Sequence, residues 1–370
     1  MKPLKIIVSG GGTGGHIFPA IAIANAIKAL RPDTEFLFVG AEGKMEMEKV
    51  PAAGYKIEGL WISGFQRKLT LSNLAFPFKL ISSLLKAKKL LKTFNADAAI
   101  GTGGFASGPM LQVAANKGIV TLIQEQNSYP GITNKILSKK VDKICVAYNG
   151  MEKYFPKEKI ILTGNPVRQD ILSLEGKRER GIEFFGLDSN KKTILVIGGS
   201  LGARTINESI ATCIQSFADA NIQLIWQTGK GYFETAKAAT AAYNDKGIKA
   251  FDFIQKMDYA YAVADVVISR AGASSISELC LVKKPCILIP SPNVAEDHQT
   301  KNAMALVTYN AALLIKDVEA KEKLKEAVLN LMQDETQCIK LSENIGRLAF
   351  KDSATVIANE ILSLINNKNK

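Results

Sequence analysis

Apolar positions along this chain fall in short continuous runs, not in strict alternation. In the first half these are Lys5 to Ser9, Glu35 to Val39, Ala98 to Gly101, Val120 to Gln124, Lys143 to Ala147 and Ile160 to Thr163. In the second they are Thr193 to Ile197, Gln223 to Thr228, Lys249 to Ile254, Val266 to Ser269, Cys286 to Ile289 and Ala312 to Ile315. Uniformly apolar, β-branched runs with helical patterns between them suit parallel strands covered by helices on both faces. The expected class is α/β, with one doubly wound parallel sheet in each half.

Turn chemistry in Thr163-Gly164-Asn165-Pro166-Val167, followed by the charged Glu175 to Gly181 segment, puts the boundary near Val167. A last helix is predicted over Asp352 to Asn366 from the apolar positions Ala354, Val356, Ile357, Ile361, Leu362 and Leu364. The expected domains are 1–167 and 168–345, with 346–370 packing back on the first. At 370 residues the chain exceeds the size at which a single core keeps growing, which agrees with two domains.

Each half opens on a glycine-rich strand-to-helix turn: Gly10-Gly11-Gly12-Thr13-Gly14-Gly15-His16 and Gly198-Gly199-Ser200-Leu201-Gly202-Ala203. Without side chains the backbone approaches a ligand closely, and the first N–H groups of the helix point at its negative charge. The pair implies a cleft between two domains with a phosphate-bearing ligand. A third turn, Gly101 to Pro109, adds donors, and Gln124-Glu125-Gln126-Asn127 puts polar side chains suited to sugar hydroxyls at a strand's carboxyl end. In the second half, Ser269-Arg270-Ala271-Gly272 runs into a helix start at Ala273, Ser274, Ser275, Ile276 and Ser277. One turn on, Glu278 is either a ribose ligand or a capping-type or solvent-facing carboxylate. Asp297 to Asn302 then brings amide side chains onto a loop entering a helix.

Gly10, Gly12 and Gly15 also fit the dinucleotide fingerprint, but the second strand ends in Val39-Gly40, with Glu42 arriving late for the ribose. That departure argues against NAD or FAD. His16 and His298 are the only histidines, and the positive helix end disfavours imidazolium at His16. His16 is therefore the candidate proton acceptor, the alternative being a histidine that binds substrate or caps the loop. No aspartate pair has D-x-D spacing and no cluster suits a metal, so helix ends must neutralise any leaving diphosphate.

Net charge is +12, yet the basic residues form no long block and carry no aromatic RNA-binding signature, so no nucleic-acid partner is expected. An anionic membrane surface or a phosphorylated substrate explains the charge as well. No apolar run approaches the ~18 residues of a membrane span. The direct entry from Met1-Lys2-Pro3 into a strand leaves no room for a signal peptide, and five scattered cysteines read as reduced; both point to the cytoplasm.

Together these motifs resemble the MurG family, the UDP-N-acetylglucosamine (UDP-GlcNAc) transferases that convert lipid I to lipid II. The resemblance runs the whole length. It rests on Gly-Gly-Thr-Gly-Gly-His16, Gly-Gly-Phe-Ala-Ser-Gly-Pro109, Glu125-Gln126-Asn127, Thr163-Gly-Asn-Pro-Val-Arg168, Gly198-Gly-Ser, Ser269-Arg-Ala-Gly272 with Glu278, and His298-Gln299 with Asn302. It implies a GT-B fold of two Rossmann-like domains and an inverting transfer that uses neither metal nor cofactor. Ser200, Ile254, Ala273 to Glu278 and Gln299 would hold UDP-GlcNAc. Thr13, Gly14, Gly15, Asn127 and Arg168 would face the sugar or acceptor, and His16 would deprotonate or orient the muramyl 4-hydroxyl. Leu201 stands where many members have Gln, and Phe105 where Tyr is common. The alternative is another GT-B enzyme, a glycolipid synthase or a UDP-GlcNAc epimerase.

A lipid acceptor raises the question of a membrane surface. Leu69, Leu71, Leu74, Phe76, Phe78, Leu80 and Ile81 lie among Arg67, Lys68, Lys79, Lys86, Lys88 and Lys89. This suits either docking on the anionic cytoplasmic face of the membrane or a core-facing helix with a solvated basic face.

Overall fold

The computed structural model describes residues 3–64, 75–199 and 202–368. It divides into two compact units: the chain up to Val167 with the residues from Asp352 onward, and Arg168–Lys351.

Seven strands form the first sheet: β1 (Lys5–Gly10), β2 (Glu35–Ala41), β3 (Ile57–Leu60), β4 (Ala98–Gly103), β5 (Val120–Glu125), β6 (Lys143–Val146) and β7 (Ile160–Leu162). All pairings are parallel, in the order β3-β2-β1-β4-β5-β6-β7. The order reverses between β1 and β4, the switch point outside which ligands of open α/β sheets bind. Ile6 and Val8 of β1 enter one core cluster with Ile17, Ile23 and Ile27, while Ile7 enters another with Val39, Leu60 and Met110. Burial on both faces is why the run is apolar throughout. Sequence periodicity did not single out β3, a short strand interrupted by Gly59; a Cβ at Gly59 would come within 2.5 Å of the Glu42 side chain.

The Ser353–Lys368 helix buries Ile357, Ala358, Ile361 and Ile365 in the cluster that holds Ile17 and Ile23. Val356, on its other side, is exposed. Residues 346–351, expected within the returning tail, stay with the second unit, because Gly346 and Arg347 finish the Glu335–Arg347 helix there.

The second sheet comprises β8 (Thr193–Ile197), β9 (Gln223–Gln227), β10 (Ile248–Phe251), β11 (Val266–Ser269), β12 (Cys286–Leu288) and β13 (Leu313–Leu314). It is also parallel, ordered β10-β9-β8-β11-β12-β13, with its switch point between β8 and β11. Trp226 of β9 and Tyr261 of the Met257–Val263 helix are the largest fully buried side chains among the described residues, each spending its polar atom on a protein partner, Asn207 and Glu278 respectively. No helix among the described residues is long and apolar enough to cross a membrane. All five cysteines are free thiols.

Candidate active site

In the first unit the loops leaving β1 and β4 pack backbone on backbone. Gly11 donates its N–H to Gly103 O at 3.3 Å. Gly104 has φ +88°, and a Cβ there would lie 2.4 Å from Gly11 O, so only glycine fits. Gly103, at φ +101°, lies under the His16 ring: a Cβ would fall 3.0 Å from Nε2. The half-buried His16 is the third residue of the Gly14–Leu30 helix, and Thr102 Oγ1 donates to its carbonyl at 2.8 Å.

His16 Nδ1 lies 3.0 Å from Gly11 O and 3.4 Å from Thr13 Oγ1. A carbonyl oxygen only accepts, so this bond places a proton on Nδ1, and in the Nδ1–H tautomer the lone pair is on Nε2. Thr13 caps the helix, and Gly14 and Gly15 form its first turn, whose N–H groups have no acceptor within the helix. The Gly12 N–H is taken by Glu46 Oε2 at 2.8 Å, a wholly buried residue that the sequence reading did not single out.

The tetrad at the end of β5 behaves differently from the expectation that all four side chains serve sugar hydroxyls. Gln124, Glu125 and Gln126 are buried and occupied within the protein. Gln124 Nε2 donates to Asn165 Oδ1 (2.8 Å) and Gln126 Nε2 to Thr102 O (2.8 Å). Glu125 accepts from Asn127 N, Asn127 Nδ2, Gly131 N and Asn134 Nδ2. A buried carboxylate without a cation needs such donors, and they fold the 127–134 loop around it. Asn127 alone of the four is half-buried, its amide aimed by Glu125.

In the second unit Gly202 has φ +78°, with Thr228 O 2.4 Å from where a Cβ would sit. Asn207 bridges beneath it, donating to Thr228 O (2.8 Å) and accepting from Trp226 Nε1 (3.0 Å). Ser200 and Leu201 lie outside the described residues. The buried Ile254 gives its N–H to Gln227 Oε1 at 3.0 Å.

Gly272 caps the Ala273–Val282 helix, whose first intrahelical bond from Ile276 N leaves the N–H groups of Ala273, Ser274 and Ser275 without an acceptor inside the helix. Ala273 and Ile276 are buried; Ser274, Ser275, Ser277 and Glu278 are half-buried. Ser277 Oγ donates to Ala273 O at 3.0 Å. Arg270 faces inward, donating to the carbonyls of Ile289 (3.1 Å) and Pro290 (3.2 Å) and paired with Asp317.

Glu278 Oε2 accepts from Tyr261 Oη at 2.9 Å, and Oε1 lies 3.6 Å from Arg168 Nε. Burial raises the Glu278 carboxyl above its usual range, against the pull of Arg168 and Tyr261, with Asp170 adding to the rise. Gln299, at the start of the His298–Val307 helix, accepts Ser291 N–H at its Oε1 (2.9 Å), which turns its NH2 to other partners. Just before it, Glu296 and Asp297 hold left-handed φ of +55° and +50°, strain of the kind that collects at functional sites.

Residues 6–146 match the glycosyltransferase family 28 N-terminal domain, and residues 193–357 match the family's C-terminal domain. The chain belongs to glycosyltransferase family 28. A relative from Cytophaga hutchinsonii, named UDP-N-acetylglucosamine–N-acetylmuramyl-(pentapeptide) pyrophosphoryl-undecaprenol N-acetylglucosamine transferase, is 58% identical over 100% of this chain and 99% of its own. One of the same name from Parabacteroides distasonis is 56% identical over the whole of both chains. The crystal structure of Acinetobacter baumannii MurG superposes with a TM-score of 0.80 at 25% identity, covering 98% of this chain and 100% of that one. The fold is thus the two-Rossmann-domain architecture of this family, and the chain is a glycosyltransferase.

Proposed function

We infer that this chain moves GlcNAc from UDP-GlcNAc to the muramyl 4-hydroxyl of lipid I, giving lipid II. The observation that carries the reading is full-length identity of 58% to a relative named for that reaction. It favours transfer over an epimerase or another GT-B activity.

In this reading the second unit holds the donor. The N–H groups of Ala273, Ser274 and Ser275, with Ser200, take the diphosphate at a helix N-terminus. Glu278 accepts from the ribose hydroxyls. The Ile254 N–H being engaged, its carbonyl is the group offered to the uracil. Gln299 presents its NH2 to the sugar, with Ile276 packed behind the helix start and Ser277 beside it. The first unit handles the acceptor, with Thr13, Gly14, Gly15 and Asn127 lining its side and Arg168 at the chain's passage between units.

His16 Nε2 removes the proton of the muramyl hydroxyl as its oxygen attacks the anomeric carbon. The C1–O bond to UDP breaks, UDP leaves with the electron pair, and the configuration inverts to a β-1,4 linkage. Helix ends take up the charge on the leaving diphosphate. Incubation with labelled UDP-GlcNAc and a lipid I analogue tests the reading. Label in the lipid product supports it, and label confined to free sugar or an epimer overturns it.

The lipid acceptor calls for membrane contact, and the Phe76–Phe94 helix exposes Phe78, Ile81 and Leu85 on one stripe, with Lys88, Lys89 and Lys92 also exposed. Lys79 and Lys86 are engaged otherwise, with Ser63 and Trp61 and with Glu42 and Glu58 respectively. The expected contributors Leu69, Leu71, Leu74, Arg67 and Lys68 lie outside the described residues. The enzyme in this reading works peripherally on the anionic cytoplasmic face of the cell membrane and has no nucleic-acid partner.

A further inference from the structure

Glu46 opens the short Glu46–Ala52 helix after β2 and is wholly buried. Its Oε2 accepts the Gly12 N–H at 2.8 Å and its Oε1 the Ala41 N–H at 3.0 Å. Among the described residues no lysine or arginine pairs with it. Two glycines make room for it: a Cβ on Gly11 would fall 2.1 Å from Oε1, and one on Gly40 2.4 Å from Cγ.

In a dinucleotide-binding sheet the acid near the end of the second strand reaches out to a ribose, and the glycine loop gives its N–H groups to a pyrophosphate. Here the acid that follows the second strand turns inward and takes a loop N–H for itself. The residue whose carbonyl receives the His16 Nδ1 proton, Gly11, is the one pressed against the carboxylate.

We propose that Glu46 is a positioning residue whose carboxylate fills the back of the first glycine loop, withdrawing the Gly12 N–H from phosphate and fixing Gly11 O as the partner that holds His16 in its Nδ1–H form. The proposal rests on His16 being the base. It turns a phosphate-type loop into a cradle for an imidazole whose Nε2 is free of its proton.

The test is Glu46→Gln, which keeps size and shape but presents an NH2 to one of the two backbone donors. The chain has two histidines, so the His16 ring nitrogens can be identified in 15N spectra as the signals absent from His16→Ala. Wild type should show the Nδ1–H tautomer, and Glu46→Gln a shift toward a mixture. Turnover should fall roughly 10- to 100-fold, as expected for a small misplacement of a reacting group, with the donor KM unchanged within about twofold. Glu46→Asp, retaining the carboxylate, should fall between the two, and carries the same readouts if Glu46→Gln does not fold. An unaltered His16 tautomer with turnover near wild type overturns the role of Glu46. Full turnover in His16→Ala instead removes the base reading on which it rests.

Discussion

The two glycine-rich turns look interchangeable as sequence, yet one is backed by a charged group and the other by a neutral one. Beneath the first lies a buried carboxylate, Glu46, bonded to the Gly12 N–H. Beneath the second lies a neutral amide, Asn207, tied to Thr228 O and Trp226. A loop backed by an anion is a poor place for more phosphate. In the second loop Gly198 and Gly202 give their N–H groups to Gln227 O and Gly199 O, while the neighbouring helix start offers the N–H groups of Ala273, Ser274 and Ser275 beside a neutral amide. A Gly-rich strand–turn–helix thus fixes backbone shape, while the side chains behind it differ in charge between the two loops.

The sharpest break of this contrast is His16→Ala. If His16 is the base, as proposed, its loss should lower transfer ~10²–10⁴-fold while donor Kd, read by calorimetry with UDP-GlcNAc, stays put. Equal losses in both would erase the distinction between the loops.

On the other side, Glu278→Ala should raise the donor KM roughly 10- to 100-fold, the worth of about 1.5–3 kcal/mol in hydrogen bonds to a charged group. Because burial raises the Glu278 pKa above its unfolded value, the folded apo protein binds this proton more readily; that contribution to stability is present at low pH and lost as pH rises through the raised value. If Glu278 holds the ribose as a carboxylate, as proposed, donor affinity should weaken as pH falls into that raised range. Glu278→Gln should abolish this dependence, and a parallel pH profile in the variant would remove Glu278 from the ribose.

A matched pair of glycine substitutions sharpens the contrast further. Gly104→Ala and Gly202→Ala each force a Cβ to 2.4 Å from a backbone oxygen at positive φ. Each should cost about 1–3 kcal/mol in thermal unfolding. Gly104→Ala should then lose transfer at intact donor binding, and Gly202→Ala should lose donor binding first. The smallest effect concerns the first unit's surface: Lys89→Gln should weaken binding to anionic vesicles by about 1 kcal/mol, and Lys86→Gln, paired with Glu42 and Glu58, by less. Identical vesicle partition of both variants with wild type would move the contact elsewhere.

Much of the fold was legible because parallel strands buried on both faces leave a strong mark. β8 and β11 begin and end where their apolar runs do. β3 escaped because four residues around Gly59 carry too little pattern. At the site, the glycines and His16 announce themselves by spacing. Glu46 does not: nothing in its local sequence sets it apart from Glu42 and Glu48, and the space that Gly11 and Gly40 leave for it shows only in the folded chain. Gln124 and Gln126 misled in the other direction, since polar side chains at a strand's carboxyl end serve a ligand or the protein's own loops with the same local sequence. Arg270 likewise belongs to a motif suited to phosphate and is spent on Asp317.

On the reading proposed above, the donor diphosphate belongs to the neutral-backed second unit and not to the Glu46-filled loop. A crystal structure with UDP-GlcNAc bound tests it directly. Phosphate oxygens should sit on the N–H groups of Ala273, Ser274 and Ser275, with the ribose hydroxyls on Glu278. A diphosphate seated instead on Gly12 to Gly15, with Glu46 displaced from the Gly12 N–H, would contradict it.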